Sequence, residues 1–189
     1  MIKIFLVRHG QTEGITMGRM ESRKDSPLTN MGIQEIKSLT RRLQDEEIHY
    51  IYTSPSGRAV KTAEIIKEHR ECILIQDKHL YEMEIGDWDG QSQQDIQNKD
   101  STSFNQFLHA PESFLSHIAT RHNNQSILIV SHTVVLSLMR CSFKKQDIKH
   151  VWNTPIFQNG SLSLIYFDEG GYLIELDADI SHLQNISII

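Results

Sequence analysis

Reactive side chains in this sequence stand just past the ends of short apolar runs. The first run, residues 2–7, leads directly into Arg8 and His9. A run far downstream leads into His132, and a short run between the two precedes Arg58. Because ligands bind outside the carboxyl ends of the strands in an open parallel sheet, we expect these side chains to meet at one edge. Two histidines and two arginines gathered there would suit a phosphate group.

Each of these residues also has an ordinary structural explanation when it is taken alone. A single histidine after a strand is more often a structural residue than a catalyst, and an isolated arginine is usually a solvated surface group. Glu82 could be one more carboxylate in a loop. Convergence on one edge of the sheet favours function, because an acid, two histidines and two guanidinium groups form a usable set for proton and phosphate chemistry.

Apolar runs that read as strands alternate with segments of helical periodicity along the chain. Ile33, Ile36, Leu39 and Leu43 recur at helical spacing, for example, after a plausible cap at 29–30. Strand–helix–strand alternation favours a mostly parallel sheet with helices on both faces. We therefore predict an α/β fold, a three-layer α/β/α sandwich, as a single domain over residues 1–189.

Two segments depart from that alternation. Residues 161–167 alternate at period two and face residues 172–176 across a glycine-containing turn, which predicts a β-hairpin. Residues 83–124 are first polar and then amphipathic, and we predict a helical cap insertion over the mouth of the sheet. Phe104, Phe107 and Phe114 are expected to form the packing face of that insertion.

Composition excludes several classes of partner. With 39% hydrophobic residues and a net charge of −5, the chain is typical of a globular protein, and we expect neither nucleic acid nor an anionic membrane as a partner. The apolar runs are too short to cross a bilayer. The chain opens directly into a strand, so we expect no secretory signal and a cytoplasmic location. No exposed apolar stripe stands out, so the sequence predicts no particular oligomeric state. Neither the two cysteines nor the histidines show metal-ligand spacing.

Five blocks of the sequence, in order, resemble those of the histidine phosphatase superfamily, the phosphoglycerate mutase-like enzymes. The resemblance spans nearly the whole chain, and a further string, NGSL at 159–162, resembles the last block of the family. The five blocks are LVRHGQTE at 6–13, DSPLTNMG at 25–32, TSPSGRAVKTA at 53–63, LYE with GDWDG between 80 and 90, and VSH at 130–132.

The resemblance implies a phosphomonoesterase that works through a phosphohistidine. His9 would attack phosphorus as a neutral imidazole, with an acceptor holding its other ring nitrogen protonated. Arg8 and Arg58 would grip the phosphoryl oxygens, and a charged His132 would add a further donor. Glu82, with its pKa raised, would protonate the leaving oxygen and then accept a proton from water. These groups supply the positive charge, so we expect no metal and no cofactor.

The resemblance also places Thr12, Glu21 and Thr133 at the phosphate site, although four positions depart from the family pattern. Many relatives carry asparagine where this chain has Ile15, glutamine–glycine at Glu21 and the residue after it, and glycine at Thr133. A carboxylate at residue 21 would repel a phosphate unless it turned away, was protonated or met a cation. We therefore expect an active but slow or unusual enzyme, in which Glu21 could recognise a positively charged part of the substrate.

Three alternatives to a general phosphomonoesterase of small phosphate esters stay open on the sequence. One is a phosphoglycerate mutase-type phosphoryl transferase, which the compactness of the chain disfavours because mutases of the family are generally longer. Another is a phosphatase acting in nucleotide-loop assembly of cobalamin. The third is a degenerate, non-catalytic protein that binds a phosphate ligand, which the residues at 15, 21 and 133 favour and the intact core set disfavours.

Overall fold

The structure is a computed structural model that describes residues 1–85, 89–90, 109–147, 150–151, 155–184 and 186. Six strands form one sheet in the order β3-β2-β4-β1-β5-β6. The strands are β1 (Ile2–Arg8), β2 (Tyr50–Thr53), β3 (Ile73–Gln76), β4 (Ser126–Ser131), β5 (Leu162–Asp168) and β6 (Gly171–Asp179).

The pairing of the strands decides which residues leave the sheet together. Strands β3, β2, β4 and β1 are parallel neighbours, whereas β5 and β6 form an antiparallel hairpin beside β1. The predicted mostly parallel sheet and the predicted hairpin are thus confirmed. Arg8 at the end of β1 lies opposite Ser131 at the end of β4. His9 and His132, which follow them, therefore leave the sheet side by side.

Helices cover both faces of the sheet. The helices are α1 (Glu13–Thr16), α2 (Asn30–Arg42), α3 (Gly57–Lys67), α4 (His109–Arg121) and α5 (Thr133–Phe143), with 3-10 turns at Lys78–Leu80 and Ser181–Leu183. Alternate residues of β1 point to opposite sides, so Ile4 and Leu6 pack with α4 and α5, while Phe5 and Val7 pack with α2 and α3. These two apolar clusters confirm the predicted three-layer α/β/α sandwich.

The described part of the predicted cap insertion belongs to one of these layers. Helix α4 lies within the predicted 83–124 segment, and its Phe114, Leu115 and Ile118 are buried in the core. The Phe114 ring meets the Tyr52 ring of β2 edge-on, with 5.4 Å between centroids. Phe114 is therefore a packing residue, as expected, and the surface that it packs against includes the sheet. Residues 86–88 and 91–108, with Phe104 and Phe107, lie outside the described residues, and a cap there stays a prediction. None of the helices in the described ranges is long and apolar enough to cross a membrane.

Candidate active site

The five core residues predicted from the sequence gather at the carboxyl edge of the parallel strands. Arg8 ends β1, and the His9 and His132 rings stand 5.1 Å apart between centroids, with their planes at 61°. Arg58 lies in the first turn of α3, and its guanidinium contacts both rings. Glu82 follows the 3-10 turn at Lys78–Leu80, and its carboxylate accepts a hydrogen bond from the Val134 amide near the start of α5. The site is therefore built from four separate parts of the chain.

The backbone around His9 is held in place from several sides. The His9 amide donates to the Ser131 carbonyl at 3.2 Å, and the His9 carbonyl accepts from the Asn159 side-chain amide at 3.0 Å. Gly10 lies against the first turn of α2, where a Cβ on it would approach the Gly32 carbonyl oxygen to 2.7 Å. Glycine is required at residue 10 because backbone there leaves no room for a side chain. The imidazole is consequently carried by a rigid segment.

Both the tautomer and the charge state of His9 follow from its neighbours. Its Nδ1 lies 2.8 Å from the Gly10 carbonyl oxygen, which can only accept, so Nδ1 carries a proton. Its Nε2 lies 3.3 Å from Nε–H of Arg58, which can only donate, so Nε2 carries a lone pair. Burial lowers the His9 pKa well below its usual value, and the charges of Arg8 and Arg58 lower it further. The predicted acceptor for the second ring nitrogen is confirmed, and the imidazole is neutral.

Arg58 is anchored by the 21–25 loop, which we define as residues 21 to 25. The side chain is 1% exposed. Its Nη2 shares one N–H between the carbonyls of Glu21 and Ser22, at 3.3 and 3.1 Å, and has its other N–H for His132. Its Nη1 donates to the Asp25 carboxylate at 2.9 Å and to the Lys24 carbonyl at 3.3 Å. This loop therefore fixes the direction in which the remaining N–H groups of the guanidinium point.

Asp89 holds the 21–25 loop in turn. Its carboxylate accepts from three consecutive backbone amides, those of Ser22 and Arg23 at 2.8 Å and that of Lys24 at 2.6 Å. The residue is 7% exposed. The sequence places Asp89 in a block that resembles the family and predicts no role for it. Its three amide donors follow from its burial, since a buried carboxylate needs donors.

Without a bound phosphate, the surroundings of His132 favour the neutral imidazole, and its charge when a phosphate is bound stays a prediction. Its Nδ1 lies 3.3 Å from Nη2 of Arg58, which can only donate, so this nitrogen carries a lone pair. Its Nε2 lies 2.8 Å from the Ser54 hydroxyl oxygen. Burial lowers its pKa well below the usual histidine value, and the neighbouring His9 and Arg58 lower it further. The cause is that packing removes water from the ring while leaving it beside fixed positive charge.

Glu82 has the raised pKa that its predicted role needs. Burial raises the pKa of this carboxyl, against the opposing effects of two backbone donors and of Arg8 and Arg58. The donors are the Met83 amide at 2.9 Å and the Val134 amide at 3.4 Å. The predicted direction is confirmed, and its physical reason is desolvation of the carboxylate.

Arg8 retains a donor that the protein does not use. Its Nη1 donates to the Phe157 carbonyl at 2.8 Å, whereas its buried Nε has no acceptor among the described residues. Burial lowers the Arg8 pKa to about 10, and the charge of Glu82 partly opposes that effect. Within the described ranges, no group of three His, Cys, Asp or Glu side chains could hold a metal ion.

Thr12 and Glu21, which the resemblance placed at the phosphate, contact each other. The Thr12 hydroxyl donates to the Glu21 carboxylate at 2.6 Å, and the Ser26 hydroxyl donates to its other oxygen. The carboxylate thus accepts from two neutral hydroxyls, and how it avoids repelling a bound phosphate stays a prediction. Thr133 is the first residue of α5, directly after His132. A role of these three residues in phosphate binding stays a prediction.

The whole of this architecture has a match among known proteins. The family model of the histidine phosphatase superfamily (branch 1) matches residues 4–179. The chain belongs to this superfamily. The predicted enzyme class, a phosphatase-type hydrolase of this superfamily, is thereby confirmed.

Relatives and solved structures agree on the fold and differ in their named reactions. Phosphoserine phosphatase 1 of Hydrogenobacter thermophilus is 28% identical, over 89% of this chain and 88% of its own length. The probable phosphoglycerate mutase GpmB of Proteus mirabilis is 26% identical, over 100% of this chain and 98% of its own. The structure of Bacillus stearothermophilus YhfR superposes with a TM-score of 0.92 at 31% identity, covering 97% of this chain and 100% of that one.

Proposed function

We propose that this chain hydrolyses small phosphate monoesters through a covalent phosphohistidine on His9, and that it does so in the cytoplasm. The observation that supports the proposal best is the state of the His9 imidazole. Its Nε2 lone pair faces the guanidinium of Arg58, and its other nitrogen is held by the Gly10 carbonyl. A neutral, oriented and buried imidazole beside two guanidinium groups is a nucleophile prepared to meet an anionic electrophile.

The reaction would proceed in two balanced displacements. In the first, Nε2 of His9 forms a bond to phosphorus while the ester P–O bond breaks, and the leaving oxygen takes the proton of the Glu82 carboxyl. In the second, water attacks phosphorus and gives a proton to the Glu82 carboxylate, while the N–P bond breaks and inorganic phosphate leaves. The raised pKa of Glu82 suits both halves, because the group must first carry a proton and then accept one.

Arg8 and Arg58 would hold the transferring phosphoryl group. The buried Nε of Arg8 has no acceptor among the described residues, and a phosphoryl oxygen would supply one. Arg58 directs its Nε at the lone pair of His9 Nε2. When that lone pair is used in the bond to phosphorus, the same N–H becomes available to a phosphoryl oxygen. The two guanidiniums therefore gain partners as the transition state forms, which is the condition for catalysis by differential binding.

Thr12, Glu21 and Thr133 are proposed to border the bound phosphate ester. The Glu21 carboxylate shares its charge with the hydroxyls of Thr12 and Ser26 and keeps acceptor capacity for a third donor. An ammonium group on the substrate would satisfy that capacity. Phosphoserine, the substrate named for one relative, carries such a group.

Hydrolysis of p-nitrophenyl phosphate by wild type and by His9→Ala, each with excess chelator, tests the proposal. We expect turnover in wild type that the chelator does not change, and loss of at least about a thousandfold in His9→Ala. His117→Ala on helix α4 is the matched control and should keep wild-type activity. Quenched wild type should also carry an acid-labile phosphoryl group on His9. Turnover that survives in His9→Ala contradicts the proposal, and phosphoryl exchange between phosphoglycerate isomers instead of hydrolysis would favour the mutase.

A further inference from the structure

Ser54 is a buried hydroxyl that directly contacts one of the two site histidines. It follows strand β2, and its amide donates to the Val130 carbonyl of the neighbouring strand β4 at 3.0 Å. That pairing brings its Oγ to 2.8 Å from Nε2 of His132. Ser54 is 0% exposed, and no role in the reaction has been assigned to it above. In the sequence it belongs to the block at 53–63 that also contains Arg58.

The direction of each hydrogen bond around Ser54 follows from the groups that can only donate. Arg58 donates to Nδ1 of His132, so the single ring proton of this neutral imidazole is on Nε2. Nε2–H therefore donates to Ser54 Oγ. The Ser54 hydroxyl hydrogen is then directed to Ser56 Oγ, 3.1 Å away, and the Ser56 amide also donates to Ser54 Oγ at 3.3 Å. Ser54 Oγ is thus the hydrogen-bond acceptor for Nε2–H of His132.

With this arrangement, the neutral His132 has no N–H group available to a phosphate. Its site-facing nitrogen, Nδ1, has no proton, while its proton-bearing nitrogen is turned to Ser54. Protonation of Nδ1 would end the bond from Arg58 Nη2 and create a donor for a phosphoryl oxygen, while the bond from Nε2–H to Ser54 is kept, because the imidazolium donates from both nitrogens. The ring would not need to rotate.

We propose that Ser54 is a positioning residue that keeps the His132 proton on Nε2, presents Nδ1 to the site, and thereby couples phosphate binding to uptake of one proton. The proton comes from solvent, adds to Nδ1 and forms an N–H donor to a phosphoryl oxygen; no bond to phosphorus is made or broken. This inference rests on the proposed function, because it assigns His132 to the same phosphate.

The charges around His132 explain why the proton arrives only with the ligand. Burial lowers the His132 pKa, and the nearby groups that add to this effect are, in order, His9, Arg58, Arg8 and Arg23. Glu82 is an acidic group near His132, since its carboxylate accepts from the Val134 amide two residues beyond His132. A bound phosphate dianion would offset the positive charge that opposes protonation. Linkage then requires that phosphate binds with proton uptake.

Calorimetric titration with inorganic phosphate tests this coupling without any turnover. At about pH 8, where free phosphate is largely dianionic, the binding enthalpy is measured in two buffers that differ in ionisation enthalpy. We expect about one proton taken up per phosphate in wild type. In Ser54→Ala, uptake should fall below about half a proton, with phosphate affinity about tenfold weaker, because Nε2–H loses its acceptor at 2.8 Å and keeps only the Ser56 hydroxyl at 3.5 Å. Ser163→Ala, which removes another buried serine hydroxyl, one that accepts from the Ala178 amide of β6, should match wild type.

Nitrogen-15 NMR of the wild-type protein reports the protonation of both His132 nitrogens directly, so that this test does not depend on the folding of a variant. We expect His132 to carry its proton on Nε2 in the phosphate-free protein and on both nitrogens with phosphate bound. Phosphate binding without proton uptake, or an Nδ1–H tautomer in the free protein, overturns the inference and leaves the proposed hydrolysis standing. Failure of phosphate to bind in wild type would remove the proposed function together with the inference.

Discussion

Replacing Asp89 by asparagine tests how much the hydrogen bonds from the 21–25 loop to this carboxylate contribute to stability and to the geometry of the site. The substitution keeps the shape of the side chain but leaves one acceptor oxygen where the carboxylate had two. Three amide donors converge on that carboxylate, from Ser22, Arg23 and Lys24. The best orientation of the new amide keeps its oxygen on Arg23 and Lys24. Its NH₂ group then faces the Ser22 amide, and that buried donor is left without a partner.

The geometry sets the size of the effect. A buried donor without a partner costs about 1–3 kcal/mol, and hydrogen bonds to a charged group are stronger than neutral ones by about 1 kcal/mol. For Asp89→Asn we expect a loss of about 3 kcal/mol in the free energy of unfolding. In a chain of 189 residues this corresponds to a fall of about 6–12 °C in Tm. Because the 21–25 loop supplies the carbonyls that orient Arg58, kcat/KM should also fall, by about tenfold.

Urea denaturation followed by circular dichroism gives the free energy of unfolding, and initial rates with p-nitrophenyl phosphate give kcat/KM. Asp45→Asn is the control, because it makes the same chemical change at an exposed carboxylate and should alter stability by less than about 0.5 kcal/mol. If Asp89→Asn unfolded within about 0.5 kcal/mol of wild type, the reasoning that its carboxylate clamps the loop would be refuted.

Two further predictions follow from the charges at the site. In the folded protein, the pKa values of His9 and His132 lie below 6.5. As pH falls below about 6.5, the unfolded chain therefore binds protons that the folded chain does not bind. The free energy of unfolding consequently decreases. In urea melts below that pH, His132→Asn should reduce the loss by about 1.4 kcal/mol per pH unit relative to wild type, and equal slopes would show that His132 titrates normally. Glu21→Gln should raise KM for phosphoserine about threefold to tenfold while leaving p-nitrophenyl phosphate within about threefold. Equal improvement with every ester would mean that Glu21 reads no positive charge.

The sequence by itself determined where the reactive groups would meet. Arg8, His9 and His132 follow apolar runs that can only be strands of one sheet, and the carboxyl ends of parallel strands lie at one edge. The register of β1 and β4, with Arg8 opposite Ser131, is the physical reason that this prediction holds. The order of the family blocks added Arg58 and Glu82 to the same edge.

Only the tertiary structure decided the protonation of His132 and the roles of Ser54 and Asp89. The charge of an imidazole depends on the water and the guanidiniums packed around it, and neither can be read from residues adjacent in the chain. The Asp89 carboxylate accepts from amides more than sixty residues earlier in the sequence, and only the folded chain places these groups next to each other. The sequence of helix α4 likewise shows an apolar face, and in the structure Phe114 on that face contacts Tyr52 in the core. Hydrophobic periodicity predicts which face of a helix is buried, but it does not predict which surface of the protein that face contacts.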